Sequence, residues 1–299
     1  MLGRGRARFA LRRSSLVALA ADLLLGEPPA AVHPTIWMGR CIAAGRRRLG
    51  GGTAADAFAG GAAVALGTAA AAGLAGAIVD AAIGGRPIAR GLALKPALAL
   101  RGLLEAGRVV EDALRRGDLG AARRLLAEHL VSRDTSALST SDVAGAAISS
   151  LAENLSDSVV APLLAFRVAG LAGAYAYRAI NTADAMLGYR TEELEWFGKT
   201  AARVDDLVNL VPARATAFLI VAVGGRPMSA AIGVLLRDAG RTPSPNAGWP
   251  MAAMAGALGV VLRKRGVYTL NARGREPGMQ DIARARRIVA AAAGLAAVI

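Results

Sequence analysis

Long apolar runs alternate with short polar segments along this chain. The longest uncharged run lies between Asp56 and Asp80 and is rich in Ala and Gly. At about 1.5 Å of rise per residue, a helix over residues 57–83 is long enough to cross a bilayer core of roughly 30 Å. Small residues allow such a helix to pack closely against its neighbours in lipid. The pattern therefore predicts a membrane-spanning helix here.

The remaining apolar runs are shorter or interrupted. Residues 14–25 follow an Arg cluster and contain Asp22, and no small-x-small cleavage site follows them. We interpret this run as a retained first span or half-span, with a signal peptide as the alternative. The later runs cover residues 143–180, 215–236 (broken at Gly224-Gly225-Arg226-Pro227), 247–262 and 288–299. Together they lead us to expect four to six membrane-embedded helices.

Residues 86–142 differ, because charges of both signs recur among regularly spaced apolar positions. This spacing predicts two amphipathic, water-facing helices separated near Gly117 and Asp118. No period-2 strand pattern of any length is present. The predicted fold is all-α, a multi-pass transmembrane helical bundle with amphipathic, water-facing helical loops. We expect one integral-membrane domain over residues 1–299, with the water-facing insertion at about 86–142. A soluble Ala-rich helical bundle is the rival, since Ala is only weakly hydrophobic.

Composition and charge narrow the class. The chain is 54% hydrophobic, and Cys41 is its one cysteine, which excludes an intrachain disulfide. The formal net charge is +14. Residues 1–13 hold five Arg and no acid, and residues 263–287 hold eight bases and two acids, so eleven of the fourteen excess charges lie near the ends. This distribution is typical of membrane flanks. Nucleic acid is disfavoured as a partner, because nucleic-acid binders usually interleave aromatic residues with basic ones and aromatic residues make up only 4% of this chain.

Candidate chemistry lies in polar clusters beside the apolar runs. The phosphate-loop, nucleophile-elbow and H-E-x-x-H motifs are all missing from the sequence. The clusters are Arg133-Asp134-Thr135; Glu153-Asn154 with Asp157; Asn181 with Asp184 and Arg190; Lys199, Arg203, Asp205 and Asp206 with Arg214; and Ser244 with Asn246. Paired acids suit a hard cation such as Mg²⁺, and Arg suits phosphate or carboxylate. The clusters therefore indicate nucleotide-dependent or phosphate-handling chemistry.

Each cluster also has a purely structural interpretation. Arg133-Asp134 can be a helix end with a local ion pair, and Asp205-Asp206 can cap a helix N-terminus. Ser244-Pro245-Asn246 can be a turn. Glu153 and Asp157 are four residues apart and would share one face of an α-helix, among apolar neighbours. Ionisable groups in such surroundings are costly unless they are paired or functional, so we favour function for this pair.

The ordered clusters resemble the CbiB/CobD family, the adenosylcobinamide-phosphate synthases of cobalamin biosynthesis. The similarity extends along nearly the whole chain. Its blocks are Asp22 to Gly26-Glu27-Pro28 with His33-Pro34, Arg133-Asp134-Thr135, Glu153-Asn154 with Asp157, Asn181-Thr182-Ala183-Asp184, Arg203-Val204-Asp205-Asp206, and Ser244-Pro245-Asn246-Ala247-Gly248-Trp249-Pro250. The sequence departs at Met251, where an acid is common in the family.

The resemblance implies a carbon–nitrogen ligase that joins aminopropanol, or its phosphate, to the free propionate of adenosylcobyric acid. It implies ATP and Mg²⁺ as cofactors. The implied catalytic residues are Glu153, Asp157, Asp184, Asp205 and Asp206, of which Asp205, Asp206 and Glu153 would hold the metal. The implied substrate- and phosphate-binding residues are Arg133, Asp134, Thr135, Asn154, Asn181, Arg190, Lys199, Arg203, Arg214, Ser244 and Asn246.

The resemblance also implies an inner, cytoplasmic membrane location with the active site on the cytoplasmic side. The expected partners are the small-molecule substrates, the lipid bilayer and other membrane enzymes of cobalamin assembly. The alternative is a non-catalytic membrane regulator or carrier on the same scaffold, similar to AmpE-like proteins. A third hypothesis, a soluble helical nucleic-acid binder, predicts a soluble protein with steeply salt-dependent binding.

Overall fold

The structure, a computed structural model, describes residues 2–189 and 191–299, with side chains from Phe9 onward. It is helical, as predicted, apart from one short hairpin among the described residues. The helices are α1 (Leu2–Leu25), α2 (Pro34–Leu49), α3 (Ala54–Ile83), α4 (Pro87–Leu94), α5 (Leu100–Arg115), α6 (Leu119–His129), α7 (Thr140–Leu155), α8 (Ala161–Leu187), α9 (Lys199–Val208), α10 (Leu210–Val223), α11 (Met228–Asp238), α12 (Gly248–Leu258) and α13 (Met279–Val298). The hairpin pairs β1 (Leu262–Lys264) with β2 (Tyr268–Leu270) in antiparallel register.

The chain folds as two compact units. Unit 1 comprises Met1–Ala99, Ala161–Asn209 and Ala297–Ile299, and unit 2 comprises Leu100–Val160 and Leu210–Ala296. The chain therefore passes between the units more than once. The single domain over residues 1–299 stays a prediction.

Unit 1 is built on the close packing of α3 against α8. Gly76 of α3 lies so near the backbone of α8 that a Cβ there would be 2.6 Å from the Leu171 carbonyl oxygen. Gly61 approaches the Phe197 carbonyl oxygen even more closely, at 1.8 Å from an added Cβ. Small residues thus let helix backbones meet directly, as expected for helices packed in lipid.

Helix α8 is broken near its middle, which the sequence did not indicate. Ala169 has φ −137° and Gly170 has φ 62° with ψ −151°, a conformation that favours glycine. The Asp80 carboxylate accepts a hydrogen bond from the Leu171 N–H at 3.4 Å and from Arg90 at 2.7 Å. The break therefore leaves a backbone donor that an acid from α3 satisfies.

Unit 2 contains the predicted amphipathic pair, α5 and α6. Gly117 lies between them with φ 75°, which confirms the predicted separation at this point. Helices α7 and α12 form the centre of the unit, since residues 143–152 and 250–258 are buried. The break predicted at residues 224–227 is also confirmed, because α10 ends at Val223 and α11 begins at Met228.

Two helical segments among the described residues are long and apolar enough to cross a membrane: Ala54–Ile83 and Thr140–Leu187, which includes α7, the turn after it and α8. The number rises to three if α9 and α10 form one bent span. This is fewer than the four to six expected, because α11 and α12 have 11 residues each, too few to cross a bilayer core alone. The span predicted at residues 57–83 is confirmed, whereas the run at 14–25 forms the second half of the Arg-rich helix α1.

The hairpin is the one strand pair that the sequence did not predict. Each strand has three residues, with Leu262 opposite Leu270 and Gly266 at φ 71° in the turn. Three residues are too few to display an alternating pattern.

We expect Gly76→Ala to lower the free energy of unfolding by about 1–3 kcal/mol, because the added methyl group collides with the α8 backbone. The matched control is Gly67→Ala in the same helix, where an added Cβ meets nothing within 4 Å. That variant should be neutral or stabilised by up to about 1 kcal/mol. The melting temperatures of the detergent-purified variants test this, and equal shifts in both would contradict the packing described for α3 and α8.

Candidate functional site

Unit 1 places two of the predicted residues in one polar chain between α8 and α9. The half-buried Asp205 accepts a hydrogen bond from Asn209 at 2.9 Å and a longer one from Asn181 at 3.4 Å. The Tyr177 hydroxyl donates to the Asn209 side-chain oxygen at 2.9 Å, and Arg178 donates to the Asn181 side-chain oxygen at 3.2 Å. Asp205 is therefore held by two amides, each fixed by a further side chain.

The other predicted residues of unit 1 lie close in sequence to Asn181 and Asp205. The half-buried Asp184 lies on α8 just before Gly188, whose N–H donates to the Asp184 backbone oxygen at 2.7 Å. Lys199 lies 4.0 Å above the Trp196 ring, a cation–π contact. Asp206 is half-buried and Arg203 is exposed. Arg190 lies outside the described residues, so its predicted role stays a prediction.

In unit 2, Glu153 and Arg133 lie near Tyr268 of the hairpin. Burial raises the pKa of the Tyr268 hydroxyl, and the negative charge of Glu153 raises it further. A hydrogen bond with Ser149 and the positive charge of Arg133 lower this pKa. The hydroxyl also contacts the buried Met251 sulfur at 3.6 Å. Met251, where the resemblance implies an acid, therefore contacts the hydroxyl whose pKa the charge of Glu153 raises.

A π-helical turn follows α7 and carries Asp157. This turn spans Ser156–Val160, so the regular α-helix that was expected to hold both Glu153 and Asp157 ends before Asp157. Asn154 donates to the Ser150 backbone oxygen at 3.0 Å and to its hydroxyl at 3.1 Å. Single π turns inside helices are frequent at functional sites.

Arg214, Asn246 and Trp249 form a second cluster of unit 2. The Arg214 guanidinium donates to the Leu210 backbone oxygen at 2.7 Å, contacts the Asn246 side-chain oxygen at 3.5 Å and lies 4.5 Å from the centre of the Trp249 ring. Asn246 is buried. The predicted Arg214 and Asn246 are thus brought together, and the ring of Trp249 orients the cation.

Three predicted residues hold local backbone structure. Ser244 accepts hydrogen bonds from the N–H groups of Asn246 and Ala247, each at 3.2 Å, which makes it a turn residue before α12. The buried Thr135 donates to the Arg123 backbone oxygen at 2.9 Å. Hydrogen bonds from the backbone and hydroxyl of Ser136 lower the pKa of Asp134. Ser244 therefore forms the turn that its structural interpretation allowed, Asp134 bonds within its own loop, and Thr135 ties that loop to α6.

The sequence did not single out Tyr177, Asn209, Trp249 or Tyr268. Asn209 and Trp249 lie within motifs of the second half of the chain, and this position could have indicated them as site residues. Tyr177 and Tyr268 are single aromatic residues among apolar neighbours, a pattern that equally fits a core position.

Within residues 2–189 and 191–299, no group of three or more His, Cys, Asp or Glu side chains is placed to hold a metal ion. Mg²⁺ usually takes one or two protein carboxylates and completes its coordination with water and substrate phosphates. The adjacent acids Asp205 and Asp206 fit that smaller requirement through their oxygen donors. Magnesium at Asp205, Asp206 and Glu153 stays a prediction.

Comparison with known proteins decides the family. A family model described as CobD/Cbib protein matches residues 15–295. The chain belongs to the CobD/CbiB family. A probable cobalamin biosynthesis protein CobD from Thermococcus kodakarensis is 42% identical over 277 residues, covering 91% of this chain and 89% of the relative. The cobalamin biosynthesis protein CobD of Rhodobacter capsulatus is 41% identical over 290 residues, covering 90% of each.

A third relative, the probable cobalamin biosynthesis protein CobD of Methanothermobacter thermautotrophicus, is 40% identical over 274 residues and covers 85% of each chain. No solved structure matches the chain. The resemblance found in the motifs is thus confirmed, and this CobD/CbiB chain is a cobalamin biosynthesis protein with helices apolar enough for a membrane.

We expect Glu153→Gln to lower the pKa of Tyr268, because it removes a negative charge that disfavours the phenolate. The difference in ultraviolet absorbance between each protein and its Tyr268→Phe counterpart, followed from neutral to alkaline pH, isolates this one hydroxyl. Glu128→Gln removes an exposed acid from α6 and is the control. Equal Tyr268 pKa values in the two variants would contradict the placement of Glu153 beside Tyr268.

Proposed function

We propose that this CobD/CbiB chain joins aminopropanol, or its phosphate, to the free propionate carboxylate of adenosylcobyric acid in an ATP-dependent reaction. The product is adenosylcobinamide or its phosphate. The observation that carries the proposal is the match over residues 15–295 to a cobalamin biosynthesis family, with Asn181 and Asp205 of its motifs hydrogen-bonded to each other. On this proposal the protein is a carbon–nitrogen ligase that acts on small corrinoid substrates.

Activation of the acid is required because amide formation from a carboxylate in water is uphill. A propionate oxygen attacks the terminal phosphorus of ATP, and ADP leaves. The amine nitrogen then attacks the acyl carbon, phosphate leaves with that oxygen, and the amine gives up a proton. Bound Mg²⁺ would neutralise phosphate charge. Asp205 and Asp206 are the candidate ligands in unit 1, and Glu153 is a separate candidate in unit 2.

Asp205 is suited to accept the amine proton, since two amides hold its carboxylate in place. Glu153 is the corresponding candidate proton acceptor in unit 2. Asp157 of unit 2 and Asp184 of unit 1 are further candidate acids. Asn154, Asn181 and Asn246 orient substrate amides, because a carboxamide both donates and accepts hydrogen bonds.

Cations supply the contacts with anionic groups. Arg133 and Arg214 bind phosphate or a corrinoid carboxylate through a planar guanidinium that can donate two parallel hydrogen bonds. Arg190, Lys199 and Arg203 are further candidates of unit 1. Because ATP is cytoplasmic, the proposal places the reaction on the cytoplasmic side of the cell membrane, beside other membrane enzymes of cobalamin assembly.

The test uses full-length protein purified in detergent, with adenosylcobyric acid, aminopropanol phosphate, ATP and MgCl₂. Mass spectrometry should detect the amide product, with one ADP formed per amide. Asp205→Asn and Glu153→Gln should each lower turnover by about 100-fold or more, as expected for loss of a positioned proton acceptor.

Glu105→Gln is the matched control, because it removes an exposed carboxylate from α5 outside both clusters. It should retain full activity, and melting temperatures identify any variant that has merely unfolded. Full activity in both Asp205→Asn and Glu153→Gln would overturn the residue assignments. Absence of amide product in the parent protein would overturn the ligase and favour a non-catalytic membrane regulator or carrier.

A further inference from the structure

Unit 2 contains an arginine-lined cavity away from the predicted site residues. Its volume is about 430 Å³, and Arg226, Arg273 and Arg275 lie along it. Among the described residues that line it, none is acidic. The size falls in the range of small-molecule sites, roughly 300–1,000 Å³. The cavity therefore combines room for a ligand with a concentrated positive charge.

One of the three arginines is fixed in place by an acid. Arg275 donates two hydrogen bonds to Asp281, at 2.7 and 2.6 Å, and its backbone N–H donates to the Gly259 oxygen at 3.2 Å. Arg226 and Arg273 form no ion pair with an acid of the described chain. Arg226 and Arg273 are thus the two arginines of this cavity that have no ion pair among the described residues.

Glycines line the cavity at points where the backbone meets its neighbours closely. A Cβ at Gly259 would lie 2.4 Å from the Arg226 guanidinium, and its φ of 70° also favours glycine. A Cβ at Gly274 would lie 2.5 Å from the Val260 carbonyl carbon. Gly256 lines the cavity as well. A side chain at Gly259 would displace Arg226, and a side chain at Gly274 would collide with the backbone of Val260.

The turn that carries Arg273 and Arg275 is rigidly held. Asn271 is buried and has φ 51°, the one positive value at a non-glycine position among the described residues. Its backbone N–H donates to Asp238 at 2.7 Å, and its side-chain nitrogen donates to the Val260 oxygen at 3.0 Å. Asparagine tolerates this left-handed conformation better than other non-glycine residues, and these bonds hold the turn in place.

We propose that this cavity binds the phosphate group of a small-molecule anion. Guanidinium groups form short, paired hydrogen bonds with phosphate oxygens. Arg226 and Arg273 have no ion pair with a described carboxylate that would compete for them, whereas Arg275 is bonded to Asp281. Two sources share this chemistry: the triphosphate of a nucleotide and the phosphomonoester of an amino alcohol. The choice of these two ligands rests on the proposed function, whereas the phosphate site rests on the cavity.

The experiment measures binding to full-length protein in detergent by isothermal titration calorimetry. The probes are MgATP, aminopropanol phosphate and inorganic phosphate. The test variant is Arg226→Gln with Arg273→Gln, and the matched control is Arg116→Gln with Arg124→Gln. Both control arginines are exposed, belong to unit 2 and lie outside the cavity. The two variants therefore lose the same net charge.

We expect the cavity variant to bind at least one phosphate probe about tenfold or more weakly than the parent, with the control within about twofold. Arg273→Lys, which keeps the charge, should recover part of the affinity and guards against an effect of misfolding. A loss with MgATP alone assigns the cavity to a nucleotide, and a loss with aminopropanol phosphate alone assigns it to the amino-alcohol phosphate.

Equal affinities of the parent and the cavity variant, or no binding of any probe by the parent, would overturn the inference. The amide assay separates this result from the proposed function. A parent that binds phosphate through Arg226 and Arg273 but forms no amide contradicts the proposed function alone. Equal binding with intact amide formation contradicts the phosphate cavity alone.

Discussion

A polar side chain on a helix that crosses a bilayer must find its partners inside the protein, because lipid tails offer none. This constraint explains why Asn181, within the candidate span Thr140–Leu187, is bonded on both sides, donating to Asp205 and accepting from Arg178. It also explains why the Leu171 N–H, freed where α8 breaks, meets Asp80. A hydrogen bond between helices in lipid contributes only about 0.6–2 kcal/mol, so several together fix such groups.

The same constraint gives each unit a polar cluster that follows from its helix packing. Unit 1 brings α8 and α9 together so that the motifs around Asn181 and Asp205 meet. Unit 2 surrounds the buried helix α12 with α7, α10 and the hairpin, which places Glu153 near Tyr268 and Arg214 over Trp249. These clusters contain acids, amides and arginines, the groups that an ATP-dependent amide synthesis uses for proton transfer, orientation and charge stabilisation.

The positions of glycine, proline and charged residues predicted much of the fold. Gly117 and the 224–227 segment ended helices where predicted, and residues 57–83 formed a span. The break at Gly170 was missed because one more glycine in an Ala/Gly-rich run is no signal, and its partner Asp80 lies 90 residues earlier. Motifs identified Arg214 and Asn246, but Tyr177 and Tyr268 were missed, since their partners depend on tertiary packing. Asp134, Thr135 and Ser244 matched the motifs, yet their recorded hydrogen bonds hold local backbone: Asp134 and Ser244 bond within their loops, and Thr135 bonds to α6.

The fate of the propionate oxygens tests the central claim, carboxylate activation by ATP, most directly. Adenosylcobyric acid labelled with ¹⁸O in its free carboxylate would be converted by the purified protein with ATP and aminopropanol phosphate. The account predicts that one labelled oxygen appears in the released phosphate for each amide formed, because that oxygen attacks phosphorus and leaves with it. Amide formation with no label in any phosphate product would contradict the account.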